Sequence, residues 1–262
     1  MKYTIYQVDA FAEHLFSGNP AAVVPLTHWL SDELLQKIAA ENNLSETVYY
    51  IINDDSIDIR WFTPNTEVDL CGHATLAAAY VLHTQENFQQ PVIPFYSSRS
   101  GNLPVTVLPN GYTLNFPKDR LGEVAITEEL KSTTNRIPIK AYKGKTDYML
   151  VFADQDDITT LQPNLSVIEQ LDARGLIVTA KGEQVDFVSR FFGPQCGVNE
   201  DPVTGSAHTT LTPYWAEVLN KESLIALQLS SRQGKLQCSL VGDRVEITGQ
   251  AVLYMKGEIQ IN

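Results

Sequence analysis

The sequence predicts an α+β fold made of two similar halves, and three observations lead to that prediction. Runs with the alternating pattern of strands outnumber helical runs along the chain. The order of strands and helices in the first half recurs in the second. Identical residues also recur, each pair 133 residues apart in a chain of 262. The matched pairs are Glu67 and Glu200, Gly72 and Gly205, and Ala74 and Ala207. An internal duplication accounts for all three observations.

The first half is predicted to combine strands with two helices. Ser31 is a typical N-cap, and Asp32 and Glu33 follow where the helix dipole favours acids, so a helix is expected to about Asn42. A second, apolar helix is expected from Gly72 to about His83, after a loop over residues 63–70. The predicted strands are Tyr3–Ala10, Ala21–Leu26, Glu46–Asn53, Ser56–Phe62, Val92–Tyr96, Asn102–Leu108 and Gly111–Phe116.

The second half repeats this order. Helical stretches are expected around Ile158–Asp172, and a helix is expected from Gly205 to about Leu219. The predicted strands are Ile137–Tyr142, Tyr148–Ala153, Gly175–Ala180, Gln184–Phe192, Leu224–Ser230, Lys235–Leu240 and Arg244–Thr248. The halves are expected to span residues 1–117 and 118–250. The final run, 251–262, is one strand more than the second half needs, so we expect it to return to the first half.

Composition excludes several classes of partner. The chain is 44% hydrophobic and 19% charged, as in globular proteins. Its 19 basic residues against 31 acidic ones give a net charge of −12, and no basic cluster is present. Nucleic acid and anionic membranes are therefore unexpected partners. With neither a signal-peptide pattern nor an apolar run long enough to span a bilayer, the expected location is the cytoplasm.

The two matched glycines each begin a predicted helix. The first N–H groups of a helix lack internal partners, so a helix that begins at Gly72 or Gly205 can bind a carboxylate or phosphate. The alternative is that each glycine only permits a tight turn into the helix. The duplication at matched positions favours the anion site.

Each of four nearby side chains has a functional and a structural interpretation. His73 could exchange protons with a substrate, or it could be a cap or a core residue. Asp201 could be a general acid/base or a helix cap. Glu46 begins an apolar strand, where loss of solvation would raise its pKa, unless its side chain points outward. Cys71 lies at a helix start, which lowers a thiol pKa, but packing is the favoured interpretation.

Motifs for cofactors and metals are missing. The chain has no Gly-rich dinucleotide or Walker loop, no nucleophile elbow and no HExxH motif. Its five histidines and three cysteines have no metal-ligand spacing. We expect proton chemistry without a cofactor or a metal, or simple binding.

The motifs of the chain resemble those of the phenazine-biosynthesis PhzF family, which is related to diaminopimelate epimerase. The resemblance rests on motifs that occur in family order along the whole chain. They are Asp9-Ala10-Phe11, Phe16–Val24 with its Ser17-Gly18-Asn19-Pro20, Asn43–Thr47, Arg60–Pro64, Glu67–Thr75 and Gly197–Ala207.

The resemblance implies two halves, each a curled, mostly antiparallel sheet around a central helix, with the active site in the cleft between them. It implies no cofactor and often a homodimer. The family's catalytic glutamate corresponds to Glu46, and its assisting histidine and aspartate to His73 and Asp201. Its serine corresponds to Ser206. The two opposed cysteines of the epimerase relatives are not matched, because Thr204 lies opposite Cys71.

We therefore predict a cofactor-independent isomerase that moves a proton on a small carboxylated metabolite. Glu46, His73 and Asp201 are the predicted catalytic residues. The predicted substrate-binding residues are Asn19, Ser45, Gly72, Gly205 and Ser206. A binding or interaction protein that retains the cleft is the alternative, and an amino-acid racemase is a third.

Overall fold

The structure is a computed structural model that describes residues 1–261. Contacts divide the chain into two compact units. The first comprises Met1–Asn115 and the chain from Thr248 onward, and the second comprises Phe116–Ile247. Both units combine one large helix with short, mainly antiparallel strands, which confirms the predicted α+β class.

The first unit begins and ends with strands. Its elements are β1 (Lys2–Ala10), β2 (Asn19–Leu26), α1 (Asp32–Asn42), β3 (Glu46–Ile52), β4 (Ile57–Phe62), β5 (Glu67–Val68), α2 (Gly72–Gln85), β6 (Val92–Ser97), β7 (Gly101–Leu108), β8 (Gly111–Pro117) and the late strand β18 (Ala251–Gln260). The parallel pairs are β2 with β3 and β4 with β6. Antiparallel pairing joins β18 to β1, β1 to β2, β3 to β4, β4 to β5, β6 to β7, and β7 to β8.

Helix α2 is the centre of the first unit. It is apolar around its whole circumference, and most of its residues from His73 to Leu82 are buried. A helix of this kind is stable only when it is surrounded by other elements. Strands β1, β2, β3, β7 and β18 all contact it. The sheet therefore curls around α2, as the family resemblance implied.

The second unit repeats this arrangement. Its elements are β9 (Gly122–Val124), α3 (Glu128–Ser132), β10 (Lys140–Lys143), β11 (Asp147–Val151), α4 (Gln155–Thr160), α5 (Leu165–Ile168), β12 (Gly175–Lys181), β13 (Phe187–Gly193), a 3-10 helix (Pro194–Cys196), β14 (Val198–Asp201), α6 (Gly205–Leu219), β15 (Ser223–Gln228), β16 (Gly234–Val241) and β17 (Arg244–Gly249). Strands β11 and β12, and β13 and β15, are the parallel pairs. The antiparallel pairs are β9 with β10, β10 with β11, β12 with β13, β13 with β14, and β15 with β16.

Some predicted boundaries were wrong. The helical stretches expected around Ile158–Asp172 are α4 and α5, which begin at Gln155 and end at Ile168. Pro163 lies between them, and a proline disfavours helix both at its own position and at the residue before it. The predicted loop after β4 contains β5, and β9, α3 and β14 were missed. These elements have two to five residues, too few for a periodic pattern to show.

Helix α6 continues through Pro213 although proline usually breaks a helix. Pro213 has no N–H to donate to the carbonyl of Thr209. That carbonyl instead accepts the backbone N–H of Asp119 at 3.1 Å. The lost helical bond is thus replaced, and α6 keeps its full length. Within residues 1–261, no helix combines the length and the apolar character needed to cross a bilayer.

Candidate active site

Two strand starts bring Asn19 and Glu46 to the same edge of the first unit. Asn19 is the first residue of β2 and Glu46 is the first residue of β3. The two strands are parallel neighbours, with Ala21 paired to Glu46. Because parallel strands begin at the same edge of a sheet, the two side chains lie close together. Ser45 precedes Glu46 and is partly buried.

His73 connects these residues. It is the second residue of α2, and only 5% of its side chain is exposed. Its Nε2 lies 3.1 Å from Oε2 of Glu46. Its Nδ1 lies 3.2 Å from the amide nitrogen of Asn19 and 3.5 Å from the sulfur of Cys71. Three of the predicted site residues therefore contact one another, since Asn19 is hydrogen-bonded to the ring and Glu46 lies within ion-pair distance of it.

The contacts of His73 determine where its protons lie. An amide nitrogen can only donate, so in the neutral ring Nδ1 accepts from Asn19. The proton of the neutral ring is then on Nε2, where it faces the Glu46 carboxylate. In the protonated ring Nε2–H still faces Glu46. The ring thus offers a proton to Glu46 in either charge state.

Burial and charge act in opposite directions on His73. Burial alone lowers its pKa, but the Cys71 sulfur and the Glu46 carboxylate together raise the pKa of His73 well above its ordinary value. Burial, followed by the charge of Glu46, raises the pKa of Cys71 to about 11, so this thiol is protonated near neutral pH. Glu46 is therefore the anion that favours the imidazolium.

Cys71 differs from the expectation for a helix start. Its backbone is the N-cap of α2, where the dipole lowers a thiol pKa, yet burial outweighs that effect. The thiol is buried and lies 3.5 Å from Nδ1 of His73. This agrees with the packing interpretation of Cys71.

Glu46, Cys71 and His73 place potential metal-ligand atoms within 4.8 Å of one another. Cys71 faces Nδ1 of the ring, whereas Glu46 faces Nε2. The thiol and the carboxylate thus lie beside different ring nitrogens. That the site works without a metal stays a prediction.

The start of α2 is open to an anion. Among the helices of eight or more residues, α1 is capped by the side chain of Ser31, whereas the N-cap residues of α2 and α6 make no side-chain cap. The N–H groups at Gly72 and Gly205 therefore have no such acceptor from their N-cap side chains. Gly72 is partly exposed, and Gly205 is buried.

In the second unit, Asp201 does not cap α6, since Thr204 is the N-cap. Asp201 ends β14, and its Oδ2 accepts the Thr204 hydroxyl at 2.5 Å. Gln228, fully buried, accepts the Thr204 N–H at 2.8 Å and donates to the Asp201 carbonyl at 2.7 Å. Gln228 was missed because no sequence pattern marks it.

Ser206 is the second residue of α6 and is partly exposed. His208, two residues on, donates from Nδ1 to the Thr204 carbonyl at 2.8 Å. Burial lowers the pKa of His208 to about 4, so this ring is neutral. The catalytic role predicted for Asp201 and the binding roles of Gly205 and Ser206 stay predictions.

The sequence analysis also missed an arginine–glutamate pair in each unit. Arg60 binds Glu67 through two hydrogen bonds of 2.7 and 2.9 Å, and Arg190 binds Glu200 through two of 2.7 and 3.1 Å. The repeat of Arg60-Trp61-Phe62 as Arg190-Phe191-Phe192 would have revealed them. Each glutamate precedes the N-cap of a large helix by four residues.

Comparison with known proteins gives a consistent result. Residues 8–257 match the family described as phenazine biosynthesis-like protein (PhzC-PhzF). A Pseudomonas aeruginosa protein named as an uncharacterized isomerase is 48% identical over 261 residues and the full length of both chains. A PhzF-family crystal structure from Enterococcus faecalis is 45% identical, covers both chains fully and has a TM-score of 0.97.

More distant structures share the fold alone. A hydroxyproline epimerase from Agrobacterium vitis is 10% identical and has a TM-score of 0.64 over 98% of this chain and 92% of its own. The epimerase-like fold expected from the resemblance is thus confirmed.

Proposed function

Because the chain belongs to the phenazine biosynthesis-like family, we propose that it is an isomerase. It moves a proton on a small carboxylated substrate by acid/base catalysis, with no cofactor. The observation that carries the proposal is the contact of 3.1 Å between His73 and Glu46. Unlike the ion pair of Arg60 and Glu67, this pair joins an imidazole to a carboxylate, so a proton can pass between its two members.

Glu46 is the proposed base. His73 contacts one of its two carboxylate oxygens, so the other is available to a substrate C–H. The side chain is 15% exposed, which shields it from bulk water without sealing it off. Glu46 takes the proton from one carbon and returns it to another, so atoms and charge balance over the cycle.

His73 and the start of α2 have supporting roles in the proposal. The imidazole, with Nε2–H directed at Glu46, holds the carboxylate in one orientation and supplies or takes up charge as the proton moves. The N–H groups at Gly72 and His73 favour a substrate carboxylate, since the helix dipole adds positive potential there. Asn19 fixes the ring from its other side.

The test is proton exchange in deuterated water. Small carboxylic acids with acidic C–H groups are incubated with the wild-type protein and with Glu46→Gln, and deuterium incorporation is followed by NMR. We expect the wild type to exchange at least one acid, and Glu46→Gln to lower that rate by about 10² to 10⁴-fold. Binding of the acid, measured by calorimetry, should change little.

Glu33→Gln is the matched control. Glu33 is an exposed acid that pairs with Lys37 on α1, so exchange should be as in the wild type. Equal exchange by wild type and Glu46→Gln would contradict the proposed base. Tight binding of an acid with no exchange would favour the alternative of a non-catalytic binding protein.

A further inference from the structure

A group of charged side chains surrounds Glu67, at the point where the chain approaches α2. Arg60 holds both carboxylate oxygens of Glu67, and Nη2 of Arg99 donates to Oε2 at 2.7 Å. Arg99 also donates from Nη1 to Asp69 at 3.0 Å. Ser100 donates its hydroxyl to the Asp69 carbonyl at 2.6 Å. We call Arg60, Glu67, Asp69, Arg99 and Ser100 the Glu67 cluster.

The Glu67 cluster fixes the segment that leads to His73. Glu67 and Asp69 are held at their side chains, and Asp69 also at its backbone. Two residues later, the Cys71 carbonyl accepts both the N–H and the hydroxyl of Thr75, at 3.1 and 2.6 Å. The segment therefore has little freedom between β5 and the first turn of α2.

The central pair of the cluster is not an ordinary surface ion pair. The side chains of Arg60 and Glu67 are only 20% and 14% exposed. The Arg60 guanidinium also lies 5.1 Å from the ring centre of Phe62 and 5.4 Å from that of Trp29. A planar guanidinium that binds two carboxylate oxygens and contacts two rings is fixed in direction as well as in distance.

The second unit contains an equivalent arginine–glutamate pair. Arg190 donates to both carboxylate oxygens of Glu200, and its guanidinium lies 5.0 Å from the ring centre of Phe192. Arg60 makes the same two kinds of contact with Glu67 and Phe62. The turn that carries Arg99 is repeated too. Ser97-Ser98-Arg99-Ser100-Gly101 recurs as Ser230-Ser231-Arg232-Gln233-Gly234, 133 residues later. The two units thus share the arginines as well as the helix starts.

We propose that Arg60, Glu67 and Arg99 are positioning residues that fix the start of α2 and so set the contact between His73 and Glu46. The inference rests on the proposed function, because this contact is the one assigned to proton transfer. None of the three residues touches His73 in the described structure, so they act through the backbone of residues 67–72.

The test measures His73 in the absence of any substrate. Full-length protein with isotope-labelled histidine is titrated by NMR, and the His73 resonance is identified by its loss in His73→Gln. Arg60→Lys keeps the charge but removes the fork, and Glu67→Gln keeps the shape but removes the anion. We expect the His73 midpoint to fall by about 1 pH unit or more in both, since the Glu46 contact loosens.

Arg190→Lys is the matched control. It removes the equivalent fork from the second unit and leaves every contact of His73 described above in place, so the midpoint should match the wild type. An unchanged midpoint in folded Arg60→Lys and Glu67→Gln would overturn the proposal. Equal shifts of the His73 midpoint in Arg60→Lys and Arg190→Lys would overturn it as well, because they would show that the loss of either arginine loosens the whole protein.

Arg99→Gln provides a second test of the proposal in case Arg60→Lys does not fold. Arg99 is 45% exposed, so its loss should leave the fold intact. We expect a smaller shift of the His73 midpoint in the same direction, and no shift would contradict the proposal. Failure of the exchange assay with Glu46→Gln would leave these midpoints unaffected, so the two hypotheses fail separately.

Discussion

At the scale of single residues, the groups around His73 have opposite effects on its protonation. Asn19 donates to Nδ1 and so opposes protonation there, whereas the Glu46 carboxylate at Nε2 favours the imidazolium. The Cys71 sulfur and the Glu46 carboxylate together raise the pKa of His73 well above its ordinary value, although burial lowers it. The proton acquired at Nδ1 then faces the Cys71 sulfur.

This raised pKa predicts how stability depends on pH. The folded protein holds the His73 proton more tightly than the unfolded chain, whose histidine pKa is about 6.5. The resulting stabilisation is complete below about pH 6.5 and is lost as the pH rises through the higher folded-state pKa. Urea unfolding across this range should show the free energy of unfolding falling by up to about 1.4 kcal/mol per pH unit.

The control variants are His73→Gln and His28→Gln. His73→Gln should flatten the pH dependence above about pH 6.5, whereas His28, on the surface, should leave it unchanged. A slope that persists in His73→Gln would show that another group is responsible.

At the scale of elements, the strand registers show where the two units differ. Thr47 pairs with Phe62 in the first unit, and Leu176 pairs with Phe192 in the second. If the phenylalanines are equivalent, the position of Glu46 corresponds to Gly175. The duplication has therefore kept the proposed base in one unit only.

Gly175 also has no room for a larger side chain. A Cβ there would lie 2.5 Å from the ring of Phe191 and 2.7 Å from the carbonyl of Phe192. Gly175→Ala should therefore lower the free energy of unfolding by about 1–3 kcal/mol, measured by thermal or urea denaturation.

Gly122→Ala is the control for this prediction. Gly122 also begins a strand of the second unit, but the nearest atom to its Cβ would be the Lys143 carbonyl at 3.9 Å. Its effect should stay within about 0.5 kcal/mol. Equal stability of the two variants would show that Phe191 moves aside at little cost.

At the scale of the whole molecule, the first unit is completed by the last strand of the chain. Strand β9 follows the first unit's β8 yet pairs with β10, and β18 follows β17 yet pairs with β1. Every residue of β1 has a partner in β18, and the one bulge, between Gln7 and Val8, skips Tyr254 of β18. The first unit thus needs the last strand of the chain.

Truncation after Gln250 should therefore destabilise the first unit. It removes β18 and leaves β1, whose inner residues are buried, as an unpaired edge. We expect a lower unfolding midpoint or aggregation, measured by calorimetry and light scattering. Truncation after Gln260 keeps the β1–β18 ladder and should unfold like the full chain. If the chain truncated after Gln250 had the same unfolding midpoint as the full chain, this account would be contradicted.

The sequence alone determined the duplication, the α+β class and the residue types of the candidate site. Those features are local, because strand alternation, helix caps and the repeated Gly and Glu positions can be read along the chain. The short elements β5, β9, β14 and α3 escaped prediction for the same reason, since two to five residues carry no period. The clefts, partners and location predicted from the sequence remain predictions.

Only the tertiary structure decided which residues meet. Glu46 and His73 are far apart in sequence, and the parallel pairing of β2 with β3 and the burial of α2 bring them to 3.1 Å. The same packing decided the state of Cys71, where desolvation outweighed the helix dipole. It also joined Arg60 to Glu67, because a fork forms only where two backbones are held at the right distance.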